Sequence, residues 1–221
     1  MTRTRFHQGL DDLKQKLLAM GGMAEQAIDR STQAYQLRDL ALCEAVFKGE
    51  RAINMAEREI DELALDLLAM QQPMAVDLRF ITAVTKINAD LERIGDQAVN
   101  IAERVMNLVS LPEADLPVDI PRLSGAACGM VRRSLDAFIN ADSEMAHAVL
   151  KMDDIVDRMN REVFQTVVRR MHENPAIVPQ CLDALLIARN FERVGDHATN
   201  IAEDVIFWVR GSDVRHHASV E

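Results

Sequence analysis

The chain reads as an all-α protein of two tandem three-helix bundles related by internal duplication, six long helices in all. Three observations point there. The first is composition: 48% of the 221 residues are hydrophobic, yet there is one Trp, one Tyr, nine Gly and six Pro. Strands favour aromatic and β-branched runs punctuated by turns, whereas this chain spends its apolar content on Ala, Leu and Met as well as Ile and Val. The second is spacing. Leu10, Leu13, Leu17, Met20, Ala24, Ala27 and Ile28 recur at steps of three and four, the period of an amphipathic helix. The third is repetition. LERIGDQAVNIAERV at 91–105 returns as FERVGDHATNIAEDV at 191–205, with nine identities in the twelve positions that start at Glu92 and Glu192.

The elements follow in order. The first helix spans Phe6 to about Leu37, with Gly21-Gly22 as a point of kinking rather than an end. Asp39 is the expected N-cap of a second helix reaching Met70, which Gln71-Gln72-Pro73 closes. A third helix runs from Val76 to Val109. LPEADLPVDIP then holds Pro112, Pro117 and Pro121 and reads as a linker. The plan repeats: Arg122 to Asn140, then a helix capped by Asp142 and reaching His172, a break at Glu173-Asn174-Pro175, and a last helix from Ile177 to Arg210. The expected organisation is a first bundle at 1–110, a linker at 111–121, a second bundle at 122–212 and a tail at 213–221. Helices of about 30 residues span about 45 Å, so an elongated molecule is expected.

Charge narrows the partners. Formal net charge is −10, which argues against nucleic acid and anionic lipid and favours cations. Cys43, Cys128 and Cys181 are odd in number and lack metal-knuckle spacing, so they read as small core residues in a reducing compartment. The charged N-terminus does not resemble a signal peptide, and no apolar run approaches the roughly 18 residues of a membrane helix. No nucleophile elbow or Gly-rich phosphate loop is present, so the chain does not read as an enzyme.

The repeated segment carries the chemistry. At about 100° per residue, Glu92, Asp96, Asn100 and Glu103 lie within an arc of about 80°, as do Glu192, Asp196, Asn200 and Glu203. Leu91, Ile94, Ala98, Ile101 and Val105 gather opposite, so the acids are expected to form an outward stripe. Taken singly, such a stripe is a solvated face. Doubling shifts the reading, because the polar positions match as well as the apolar ones. Like charges at i and i+4 are unfavourable by a few tenths of a kcal/mol unless neutralised, and Gly95 and Gly195 each cost about 1 kcal/mol in a helix interior. Carboxylates on successive turns, with amide oxygens nearby, suit cations that prefer oxygen: magnesium, manganese, calcium or iron. The second helices add candidates. INMAEREI at 53–60 aligns with VDRMNREV at 156–163, placing Asn54, Glu57 and Asp61 on one face and Asp153, Asp157 and Asn160 on another. His197 follows Asp196 directly and points about 100° away, so it reads as solvated or packing. Glu-x-x-His, the ferritin-type di-iron pattern, is missing from both copies of the repeated segment.

L-E-R-I-G-D and F-E-R-V-G-D, each followed by N-I-A-E, resemble the paired signature of the PhoU family, and the likeness covers nearly the whole chain. MGGMAEQAI at 20–28, Gln72-Pro73 followed by Asp77-Leu78-Arg79, and GSDVRH at 211–216 are also similar to that family. The resemblance implies two three-helix bundles with metal sites at the doubled motif, holding iron, manganese or magnesium, with zinc possible. Glu92 and Asp96 take the first site, Glu192 and Asp196 the second, with Asn100, Asn200, Asp61 and Asp157 as further ligands. It further implies a negative regulator of the phosphate-starvation response. Such a protein is cytoplasmic and peripheral to the inner membrane, acts between a phosphate ABC transporter ATPase and a sensor histidine kinase, and is expected as a homodimer. A metal-free helical scaffold docking basic partner surfaces stands as the alternative. A metalloenzyme is a third reading, for which the sequence supplies neither an enclosed pocket nor a positioned acid or base.

Smaller features have plainer readings. Asp77 and Arg79 are expected to fix the turn after Pro73. His216-His217 reads as an exposed end. Met20, Met23, Met55, Met70, Met74 and Met106 are expected in core or gap-filling positions.

Overall fold

The computed structural model describes residues 3–70, 73–212 and 214. Among them the chain forms six helices: α1 (Arg3–Leu37), α2 (Leu40–Met70), α3 (Ala75–Ser110), α4 (Ile120–Asn140), α5 (Ser143–Glu173) and α6 (Val178–Arg210), with a short 3-10 turn at Pro175–Ile177 before α6. No strand occurs among the described residues. None of these helices is long and apolar enough to cross a membrane. His216 and His217, Gln72, and part of the GSDVRH stretch lie outside the described residues.

Local chemistry explains the ends. Asp39 accepts from the Ala41 N–H, and Asp142 accepts from Glu144 and Met145, each satisfying donors that a helix start leaves open. The two turns are copies. Arg38 and Ala141 both take left-handed backbone, at φ 52 and φ 50, and the amide of the Asp that follows each returns to the preceding helix, at Ala34 O and Ala137 O. The fourth helix starts two residues earlier than its expected Arg122. Asp119 caps it through the Arg122 N–H, and Pro121 sits in its first turn, where proline is favoured because no helical donor is lost. Gly211 closes α6 in left-handed backbone at φ 72, with its N–H on Phe207 O. Gly21-Gly22 leaves α1 unbroken.

The two bundles share one hydrophobic core. Leu13, Leu17, Met20, Ala24 and Ile28 are the buried stripe of α1, and Ile53, Ile60 and Ala64 that of α2. α3 is buried on two sides, and so is α6, because these helices pack against each other as well as within their own bundles. Their seam is antiparallel. Lys86 pairs with Asp204 at 3.2 Å and Arg104 with Asp183 at 3.7 Å, so positions rise along one helix as they fall along the other. At one end of the seam Trp208 meets Phe80 and Phe138 with ring centres 5.1 and 5.3 Å away. Beside it Arg79 donates to Trp208 O, tying the start of α3 to the end of α6 where the sequence suggested a local pair with Asp77. α1 and α4 make the second seam: Arg132 reaches Glu25 at 2.8 Å and Asp29 at 3.3 Å, and Lys14 reaches Ile139 O.

Residues 111–119 form an ordered strap. α4, which follows it, has 21 residues where α1 has 35. Leu116 and Val118 pack inward, while Gln180 holds Pro112 O at 2.8 Å and Arg170 holds Asp115 O at 3.1 Å. The methionines divide: Met20 is buried and Met23 packs on the core, whereas Met55, Met74 and Met106 are exposed, Met55 at 63%. Helical spacing cannot separate a core Met from one on an uncovered neighbouring face. The side chain of Met70 is outside the described set.

Candidate functional site

The acidic stripe of α3 does not point straight out to solvent. Glu92 and Asp96 are half-buried and face α2, where Glu50 and Glu57 carry further negative charge. Burial first, then the charges of Asp96, Glu57 and Glu50, raise the Glu92 carboxyl above its ordinary value, with Arg93 opposing. Burial and then Glu50 raise Asp96. Asn54 stands among them: its amide N–H donates to Glu50 at 2.8 Å, and its Oδ1 is buried without a hydrogen-bond partner. Gly95 explains how α2 comes so near. A Cβ there would lie 3.0 Å from Ile53 Cδ1, so the missing side chain admits the neighbouring helix.

The second repeat builds the same groove between α5 and α6. A Cβ on Gly195 would meet Val156 Cγ1 at 3.3 Å, the counterpart of Ile53. Half-buried Glu192 and exposed Asp196 on α6 face Asp157 and Asp153 on α5. Burial first and neighbouring carboxylates next raise Asp153 and Glu192. Burial also raises Asp196, with His197 as the strongest opposing influence. Thr199 donates to Asp153 at 3.4 Å, and Arg161 pairs with Asp157 at 3.2 Å.

Asp61 and Asn200 already have partners on neighbouring helices. Asp61 accepts from Asn88 at 3.0 Å and so serves the α2–α3 contact next to the groove. Asn200 turns away from its acids: α3 covers that side of α6, and the Asn200 amide donates to buried Asp90 at 3.2 Å. His197 joins the same group, 2.9 Å from Asp90, as a packing residue of the seam. Asn100 is half-buried. Glu50 was missed by sequence reasoning. The signal was available, because the 103-residue offset that pairs Asn54 with Asp157 also pairs Glu50 with Asp153.

Each groove therefore offers carboxylate and amide oxygens from two helices and no sulfur, a donor set that fits a hard cation. The raised carboxyls and the partnerless Asn54 oxygen are what a positive ion would relieve. Among the described residues no three Asp, Glu, His or Cys side chains are already gathered as a metal cage. A cavity of about 360 Å³ lies apart from the stripe, between Tyr35, Arg38, Leu108 and the strap, and no stripe acid lines it.

Fold and grooves together define a class: a fused pair of three-helix bundles whose equivalent helices each carry an acidic groove. The chain belongs to the PhoU family, since the family model of the PhoU domain matches it twice, at residues 17–105 and 120–205. It is 39% identical over 215 residues to the phosphate-specific transport system accessory protein PhoU homolog of Pseudomonas aeruginosa, covering 96% of this chain and 88% of that protein. The corresponding protein of Escherichia coli is 33% identical over 212 residues, with 96% and 88% covered. Among solved structures, PhoU from Pseudomonas aeruginosa superposes with a TM-score of 0.90 at 37% identity, over 94% of this chain and 100% of that one. The phosphate transport system regulatory protein PhoU from Streptococcus pneumoniae gives 0.88 at 25% identity, over 95% and 99%.

Proposed function

We propose that the protein is a negative regulator of the phosphate-starvation response and of phosphate uptake. It acts as a non-enzymatic, metal-binding adaptor between the ATPase of a phosphate ABC transporter and a membrane sensor histidine kinase, as a homodimer on the cytoplasmic side. The observation that carries the reading is similarity running through both repeats to proteins named as accessory proteins of phosphate-specific transport. Deleting the gene should raise alkaline phosphatase and transporter expression in phosphate-replete cells; unchanged expression would count against the regulatory role.

Glu50, Glu57, Glu92 and Asp96 would hold metal in the first groove, and Asp153, Asp157, Glu192 and Asp196 in the second. Bound metal would supply positive charge that the two helices of a groove share, drawing α2 to α3 and α5 to α6. Without it, the carboxylates repel across each groove. Iron, manganese or magnesium suit these oxygens best, with zinc as a further candidate. Metal analysis of the wild type beside an E92A/D96A/E192A/D196A variant tests the assignment, and equal metal content in both would sink it.

The second reading is a metal-free scaffold whose acidic grooves dock basic partner surfaces. EDTA separates the two. A metal bound only by the folded state raises the melting temperature by mass action, so EDTA should lower it; the scaffold predicts no change.

A further inference from the structure

We propose that the two grooves are unequal cation sites, the α2–α3 groove binding more tightly because Arg161 and its neighbours already hold the acids of the α5–α6 groove. The inference rests on the metal reading above and concerns how this chain divides affinity between its halves.

Both grooves have four carboxylates and one amide, but the amide changes place. Asn54 and Glu57 on α2 correspond to Asp157 and Asn160 on α5. The shift matters because of what lies one turn on. Arg58 and Arg161 are counterparts, and Arg58 follows a neutral Asn54 whereas Arg161 follows a charged Asp157. Arg161 accordingly closes on Asp157 at 3.2 Å. Thr199 donates to Asp153, taking a second acid of that groove. In the first groove the corresponding residues are Asn54, with its Oδ1 partnerless, and Glu50, which accepts from that same Asn54.

Cations around the acids differ in the same direction. Ala89 of the first repeat is Arg189 in the second. An incoming ion therefore meets less compensated negative charge between α2 and α3. Between α5 and α6 it must displace an arginine and overcome more positive charge.

Mn²⁺ titration of the full chain, by calorimetry with electron paramagnetic resonance of the free ion, tests this. Two binding steps are expected. E92Q/D96N should remove the tighter step, and E192Q/D196N the weaker. Arg161→Gln alters a side chain that is 63% exposed, so folding should be preserved, and it should tighten the weaker step by roughly twofold, the size of an i,i+4 ion pair. Equal steps, a tight step lost with E192Q/D196N, or an Arg161→Gln variant unchanged in affinity would overturn the inequality while leaving metal binding in place. No Mn²⁺ binding by the wild type would overturn both.

Discussion

At the scale of single residues, the acids of the grooves set a trade between ligand binding and stability. Glu92, Asp96, Glu192 and Asp196 all have carboxyls raised in the folded protein, with burial as the first cause. The folded state therefore binds protons more readily than the unfolded chain. These groups lower metal-free stability progressively as pH rises from the ordinary carboxylate range through the raised folded values, and the loss is complete above them. In EDTA, the wild type should lose more melting temperature than E92Q/D96N/E192Q/D196N as pH rises from the ordinary carboxylate range, about 4, to neutrality. Identical pH profiles would refute that linkage. Asp96→Asn alone removes a like charge at i+4 from Glu92 and should stabilise the metal-free protein by roughly 0.2–0.5 kcal/mol at neutral pH. With metal present its sign should reverse, because a ligand is lost. Thermal melts with and without Mn²⁺ would show whether the two effects cross.

At the scale of elements, adjacent glycines in α1 separate propensity from packing. A Cβ on Gly21 would lie 2.8 Å from Leu135 Cδ1 on α4, whereas nothing stands within 4 Å of one on Gly22. Gly22→Ala should stabilise by about 0.5–1 kcal/mol through helix propensity alone. Gly21→Ala should gain less or destabilise, since Leu135 must move; urea melts of the two variants would read the difference, and equal gains would show the α1–α4 seam to be soft. The helices themselves were legible, because proline, Asp39 and Asp142 act locally on the backbone they follow. The strap was not. LPEADLPVDIP has the composition of a tether, and its packing depends on Gln180 and Arg170, which lie far along the chain. Nor does spacing show what a face meets. The stripe of Glu92 and Asp96 could be placed on α3 from the sequence, but its half-burial depends on α2 coming close at Gly95. Asn200 was put with its acids by the same arithmetic, and α3 covers it from the side.

At the scale of the molecule, the α3–α6 seam makes two repeats behave as one body. Trp208 is the single tryptophan and contacts Phe80 of the first repeat and Phe138 of the second. Its fluorescence therefore reports the seam, while circular dichroism reports all six helices. The two signals should change together on unfolding, and an early fluorescence change would mean that the bundles part first. Asp90→Ala should cost about 1–3 kcal/mol, because His197 and Asn200 lose their common acceptor. The antiparallel meeting of equivalent helices has a further meaning. Two separate copies of one bundle, pressing the same helix together about a twofold axis, would make a self-complementary dimer of this form. In such a dimer any change appears on both sides at once. Joined by the strap, the halves are released from that constraint. Asp90 has Asn190 as its symmetry mate, so a charge on one side of the axis has become an amide on the other. The fused chain is a dimer whose symmetry can be broken one residue at a time.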